Sequence, residues 1–176
     1  VKNVNLECFG IDINVTNKKD NVQYIQSSYR NLSTIKNINA DTVVINNFIE
    51  HVEDLKYIFD IIDLLKKDSN IIIITPNSDS KARLFFKNCW SGYHAPRHKM
   101  LFNISNIKMA FNKYNYIETE IYKIYDPFTN IISVVNLYKE LKNSYSILIF
   151  IKLIFSPIFV FYNMFNKDRI VMVIKK

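Results

Sequence analysis

Residues Asp41 to Asp54 read DTVVINNFIEHVED, and the fold turns on how this stretch is read. Val43, Val44 and Ile45 form an apolar, β-branched run, which predicts a strand buried on both faces. The polar pair Asn46-Asn47 ends it. Glu50, His51, Glu53 and Asp54 follow, and then Leu55, Ile58, Phe59, Ile62 and Leu65 recur at helical spacing up to Lys67. A buried strand, a polar turn carrying a carboxylate and an imidazole, and an amphipathic helix make one unit of an α/β sheet. Ligand sites in such sheets lie at the strand ends, so candidate function belongs on this turn.

Toward the N-terminus, Val4 to Ile13 predicts a strand ending at Asp12, and Asn14 to Asp20 a polar turn. Val22 to Ile25 reads as a second short strand leading to Ser27, Ser28 and Tyr29, and Asn31 to Ala40 as a polar connection. On the other side, Asp68-Ser69-Asn70 stands where a glycine turn is usual. Ile71 to Thr75 is a third buried run, stopped by Pro76-Asn77. Ser78 to Asn88 predicts a helix with Ser78 or Asp79 as N-cap, and Trp90 to His98, WSGYHAPRH, an irregular loop. Ser105 to Tyr114 reads as a helix with Ile107, Ala110 and Phe111 inward. Tyr116 to Tyr125 alternates, with Ile117, Thr119, Ile121 and Lys123 on one face, as a strand near a sheet edge does. Pro127 to Lys142 predicts an amphipathic helix and Tyr145 to Phe165 a pair of apolar helices kinked at Pro157. Arg169 to Ile174 is a closing strand able to insert antiparallel. The expected architecture is α/β, a mostly parallel sheet with an antiparallel last strand. Residues 1–176 make one domain, with 127–167 as a helical insertion or lid between the last two strands.

A chain of 176 residues suits one domain with a real core, and 49% apolar with 22% charged residues excludes wholesale disorder. The net charge of +7 raises the question of an anionic partner. Lys and Arg are scattered, however, so no specific nucleic-acid partner is expected. Cys8 and Cys89 belong to no CxxC pair and read as free thiols in a reducing, cytoplasmic setting. No signal peptide is visible, and nothing in the sequence sets an oligomeric state. Tyr145 to Phe165 is long enough to span a bilayer. Lys152 and Ser156-Pro157 interrupt it, and the strand that follows must return to the sheet. It is therefore expected to cover the sheet or lid a greasy substrate. Peripheral membrane contact through 145–165, with Lys142, Lys152 and Lys167 near headgroups, is the alternative.

Four elements stand in order: Gly10-Ile11-Asp12-Ile13-Asn14, the stretch Asp41 to Asp54, Thr75-Pro76-Asn77, and Trp90, Gly92, Pro96, Arg97 and His98. Together they resemble class I S-adenosylmethionine-dependent methyltransferases. More narrowly, they resemble a bacterial subgroup with a Trp-Gly-Pro-Arg-His loop after the family's fifth strand. The similarity runs from about Phe9 to Phe111 and more weakly to the end. It implies a Rossmann-like methyltransferase fold, S-adenosylmethionine as cofactor, and methyl transfer to a small-molecule or lipid-like acceptor, with oxygen as the expected acceptor atom.

By that resemblance Asp12, with Ile13 beside it, holds the ribose hydroxyls, since a carboxylate accepts two hydrogen bonds from a diol; capping of the strand end is the other reading. Ser28 or Tyr29 would lie near the adenine, and Asn46 and Asn47 on the methionine side. Relatives that methylate quinone-type phenols carry Glu-x-x-Glu-His as part of a metal site; position 47 is Asn here, so no metal is expected. His51 is then either a general base or part of a helix start, where the dipole alone favours Glu50, Glu53 and Asp54. In the loop, Arg97 can clamp a carboxylate or phosphate, and Tyr93, His94 and His98 can donate hydrogen bonds. Trp90 can pack a substrate ring, and His98 is a second catalytic candidate. Equally, Trp90 and Pro96 can anchor the loop while Arg97 pairs with a strand-end acid.

The chain departs from the family in one place. The glycine-rich turn (E/D-x-G-x-G-x-G) is absent, and Gly10 and Gly92 are the only glycines. Loss of the central strand before that turn would leave its neighbours with unpaired backbone groups. The expectation is a fragment of a longer methyltransferase, or a degenerate, non-catalytic relative with a rearranged sheet.

Overall fold

The computed structural model describes residues 7–13, 21–116, 118–163 and 168–176. The expected turn at 14–20, the placing of Ile117 on one strand face and the headgroup role of Lys167 lie outside them. Two short strands, β1 (Phe9–Asp12) and β2 (Gln23–Gln26), pair in parallel. Four more form a second sheet: β3 (Thr42–Asn46), β4 (Asn70–Pro76), β5 (Glu118–Ile124) and β6 (Arg169–Lys175), in the order β3-β4-β6-β5. β3 is parallel to β4, and β6 lies antiparallel between β4 and β5. The last strand is thus the antiparallel one, and β5 occupies an edge, as the sequence predicts.

β3 corrects the opening reading. Among the described residues it pairs with β4 on one side only, and the β1–β2 pair is a separate sheet. Ile45 is buried, but Val44 is 57% exposed. The strand with a buried run is β4, flanked on both sides, whose Ile71 and Ile73 share one cluster with Ile170, Met172 and Ile174 of β6. Two helices complete that cluster: α2 (Lys56–Leu64) through Ile58, Phe59 and Ile62, and α4 (Ile104–Asn112) through Ile107 and Phe111. Burial of each such side chain contributes about 1.5–3 kcal/mol.

A second, smaller core lies beyond the end of β4. It joins α3 (Lys81–Phe86), α5 (Pro127–Ser144) and α6 (Ile147–Asn163) around Ala82, Phe86, Trp90 and Leu137. Phe85 stacks on Phe159 with centroids 4.0 Å apart. Three local expectations change. A helix, α1 (Leu32–Ile38), replaces the polar connection and ends on Asn39 in the left-handed region, φ 52°. α3 is capped by Ser80, which accepts from the Arg83 N–H at 3.2 Å, rather than by Ser78 or Asp79. The apolar pair is one helix, α6, with Pro157 inside it. Pro157 has no N–H for the Leu153 carbonyl four residues back, and the Ser156 hydroxyl donates to that oxygen at 2.7 Å instead.

Candidate active site

The ends of β3 and β4, the start of β6 and the residue leading into α5 meet at one rim of the large sheet. A cavity of about 250 Å³ opens there, lined by Asn47, Glu50, Pro76, Ser91, Gly92, His94, His98, Asp126, Phe128, Thr129, Ile132 and Arg169. Asn47 leaves β3 with φ 49°, a left-handed conformation that Asn tolerates, and its N–H donates to Ile74 O at 2.8 Å. Its Oδ1 is buried without a hydrogen-bond donor.

Next comes a 3₁₀ turn, Ile49–His51. Glu50 therefore does not belong to the first turn of α2, and the helix dipole does not account for it. Its side chain is buried, Oε2 accepts from Thr75 Oγ1 at 3.0 Å, and Oε1 has no partner. Burial raises the Glu50 pKa above the ordinary carboxylate value.

The Trp90–His98 loop is fastened to this turn. Lys99 and Met100 N–H groups donate to Glu50 O at 2.7 and 3.2 Å, and Ser78 N–H donates to Phe102 O at 2.7 Å. His98 Nδ1 lies 2.7 Å from Gly92 O and His51 Nδ1 lies 3.1 Å from Arg97 O. A carbonyl only accepts, so each Nδ1 carries the proton and each Nε2 keeps its lone pair. His98 Nε2 is 4.0 Å from Glu50 Oε1, and burial lowers the His98 pKa below its ordinary value.

The remaining predicted residues divide. Trp90 does not face the cavity: its ring is buried in the second core, edge-on to Tyr93 at 5.2 Å. A Cβ on Gly92 would sit 2.2 Å from that ring, which accounts for glycine there. The Tyr93 hydroxyl accepts from Arg83 Nε at 3.0 Å, so Tyr93 braces α3. Trp90 and Tyr93 are thus engaged in packing and bracing the loop, and Arg97 is exposed and does not line the cavity. On the other side Asp12 ends β1 with Ile13 exposed after it. Gly10 packs closely on Tyr24: a Cβ there would lie 2.9 Å from its ring, which would have to shift. The Ser28 hydroxyl accepts from Arg30 N–H at 3.2 Å. Tyr29 packs edge-on against Phe48 and Tyr57 at 5.0 and 5.6 Å, tying the end of β2 to the turn after β3. Asn46 is exposed at the end of β3.

One part of the rim was not singled out from the sequence. Arg169 Nη2 contacts Asp126 Oδ2 at 2.6 Å, and Thr129 also donates to that oxygen. Burial alone would raise the Asp126 pKa, but the Thr129 hydrogen bond and the Arg169 charge hold it below the ordinary value. Behind it, Asn130 and Asn163 donate to Asp168 at 2.6 and 2.8 Å. Asn163 at the end of an otherwise apolar helix, and the Asp168-Arg169 pair opening a buried strand, were the available signals.

An open α/β sheet with a cavity at its strand ends is the arrangement of a Rossmann-like fold, in which ligand sites lie at such ends. A family described as "Methyltransferase domain" matches residues 2–119, and the chain belongs to that family. The fold is similar to that of solved structures. YcgJ from Bacillus subtilis is similar at TM-score 0.52 with 13% identity, over 96% of this chain and 81% of that one. A SAM-dependent methyltransferase from Geobacter sulfurreducens, solved with S-adenosyl-L-homocysteine, aligns at 0.48 and 12% identity over 88% and 64%. Phosphoethanolamine N-methyltransferase 2 from Haemonchus contortus, solved with S-adenosyl-L-methionine, aligns at 0.48 and 16% over 90% and 38%. The chain spans 60%, 64% and 65% of the length of three such structures. No curated protein matches the sequence significantly.

Proposed function

We propose that the protein transfers a methyl group from S-adenosylmethionine to a small-molecule or lipid-like acceptor at oxygen. The observation that carries this is the cavity at the strand ends, with the unpartnered Asn47 Oδ1 on one wall and His98 on the other. The cofactor fits there on the chemistry of that atom: a buried acceptor without a donor suits the ammonium of the cofactor's methionine end. Asn46 and Asn47 hold that end, Asp12 takes the ribose diol with Ile13 beside it, and Ser28 and Tyr29 flank the adenine. When bound, the cofactor supplies an electrophilic methyl group on a sulfonium centre. The acceptor oxygen gives its proton to His98 Nε2, the lone-pair nitrogen left when Nδ1 is held by Gly92 O. His51 is the less direct candidate, since it does not line the cavity. Phe128 and Ile132 give the acceptor an apolar wall, and the exposed Arg97 suits an anionic group on it.

The lipid-like acceptor and a membrane-peripheral location draw support from α6, whose Ile147, Leu148, Ile154, Ile158 and Phe161 are exposed. Among the described residues no helix is long and apolar enough to cross a membrane. Transfer is tested with methyl-labelled S-adenosylmethionine and a lipid extract. Label enters the organic phase with the wild type and falls at least about 100-fold with His98→Asn. Equal labelling by the two overturns the role of His98. Among the described residues β1–β2 form a sheet apart from the main one, which favours a second reading, a non-catalytic methyltransferase-like binding or scaffold protein; it predicts no cofactor binding and no transfer.

A further inference from the structure

Glu50, His51 and His98 each bring one ligand atom to a common place, the atoms lying within 4.8 Å of one another. They come from two segments, the turn after β3 and the far end of the loop, and the backbone bonds to Glu50 O hold those segments together. Both imidazoles have Nδ1–H on a backbone carbonyl and Nε2 left as a lone-pair donor. Outer carbonyls fix metal-ligating histidines in this orientation. Glu50 is an independent sign. The residue is 1% exposed, and Oε1 has no donor. A buried carboxylate oxygen in that state is costly unless a cation meets it, and His98 Nε2 cannot serve as donor in this tautomer.

We propose that Glu50, His51 and His98 bind one divalent transition-metal ion, such as Zn²⁺, Co²⁺, Mn²⁺ or Fe²⁺, with its open positions toward the cavity. Two imidazoles and one carboxylate offer too few oxygens for Ca²⁺ or Mg²⁺ and match the borderline metals. For ligands at about 2.1 Å from a tetrahedral ion, donor atoms lie roughly 3.4 Å apart, so modest side-chain rotation closes the site. The site takes no ligand from position 47. It therefore differs from the Glu-x-x-Glu-His arrangement and depends on His98 from the loop. With the ion bound, His98 Nε2 is a ligand and takes no proton, and the ion would hold the acceptor's oxygen instead; that role rests on the methyl-transfer reading, and the ion's binding does not.

The test is titration of chelator-treated protein with Co²⁺, read by visible absorption and by the shift in unfolding temperature. The wild type takes up one equivalent and is stabilised. His51→Gln, His98→Gln and Glu50→Gln each weaken binding at least tenfold, with unchanged far-ultraviolet circular dichroism, while His94→Gln does not. Absence of stoichiometric Co²⁺ uptake by folded wild type overturns the proposal, as does wild-type affinity in folded His98→Gln. Calorimetry with S-adenosylhomocysteine on the same metal-free protein separates the two readings. Cofactor binding without Co²⁺ uptake sinks the metal site alone, and Co²⁺ uptake without cofactor binding sinks methyl transfer alone.

Discussion

Asp168 is 1% exposed and held by the amides of Asn130 and Asn163, with the Asp126–Arg169 ion pair adjoining. Burial pushes its pKa up from 3.8 to about 6. The sign follows from proton counting. Between about pH 4 and 6 the unfolded chain has released this proton while the folded chain keeps it, so stability falls as pH rises through that window and levels off above it. The loss attributable to this residue is roughly 2–3 kcal/mol. Urea unfolding at pH 4, 5, 6 and 7 should show that decline in the wild type and a flatter profile in Asp168→Asn; parallel profiles would contradict it. Asp126, held low, acts oppositely, and its contribution is lost as pH falls below the ordinary carboxylate range. At this scale Asn46, Asn47, His51 and His98 were marked through the resemblance of their motifs to methyltransferases. The sequence did not show that Glu50 is buried with an unpartnered oxygen, because that depends on Thr75 and on a loop some fifty residues on, both reached only through tertiary contacts.

Elements were legible where a period was long. β4, α2, α4 and β6 follow from their apolar spacing, and the antiparallel last strand from its place after the helical insertion. Pairing context was not legible. The apolar run of β3 reads as doubly buried, yet strand order leaves it at an edge. Helix α6 was misjudged because Pro157 implies a break, whereas the neighbouring Ser156 hydroxyl supplies the missing donor. Ser156→Ala should therefore cost about 1–2 kcal/mol in chemical denaturation, well beyond an ordinary surface change; an unchanged midpoint would dismiss that account. The outer face of α6 gives a second prediction. Ile147, Ile154 and Ile158 are 76%, 56% and 67% exposed, and Lys142 lies over the Tyr138 ring at 4.8 Å beside an open groove. The protein should co-sediment with anionic vesicles, and the triple variant Ile147→Glu, Ile154→Glu, Ile158→Glu should stay in the supernatant. Equal sedimentation of both would remove the membrane-facing role.

At the scale of the whole molecule, two cores converge on one rim. The large core fixes β3, β4 and β6. The small core holds Trp90 and Tyr93, and so the loop that carries His98 over the cavity. Tyr29 on Phe48 connects the β1–β2 pair to the same turn. The stretch Asp41 to Asp54 thus gathers the parts of the proposed site, with Asn47 toward the cofactor and Glu50 and His51 toward the loop. The most direct test is calorimetric titration of this chain with S-adenosylhomocysteine. One saturable site is predicted, weakened at least tenfold by Asp12→Ala and by Asn47→Ala in folded protein. Absence of saturable binding, or affinity unchanged in Asp12→Ala, would contradict the assignment.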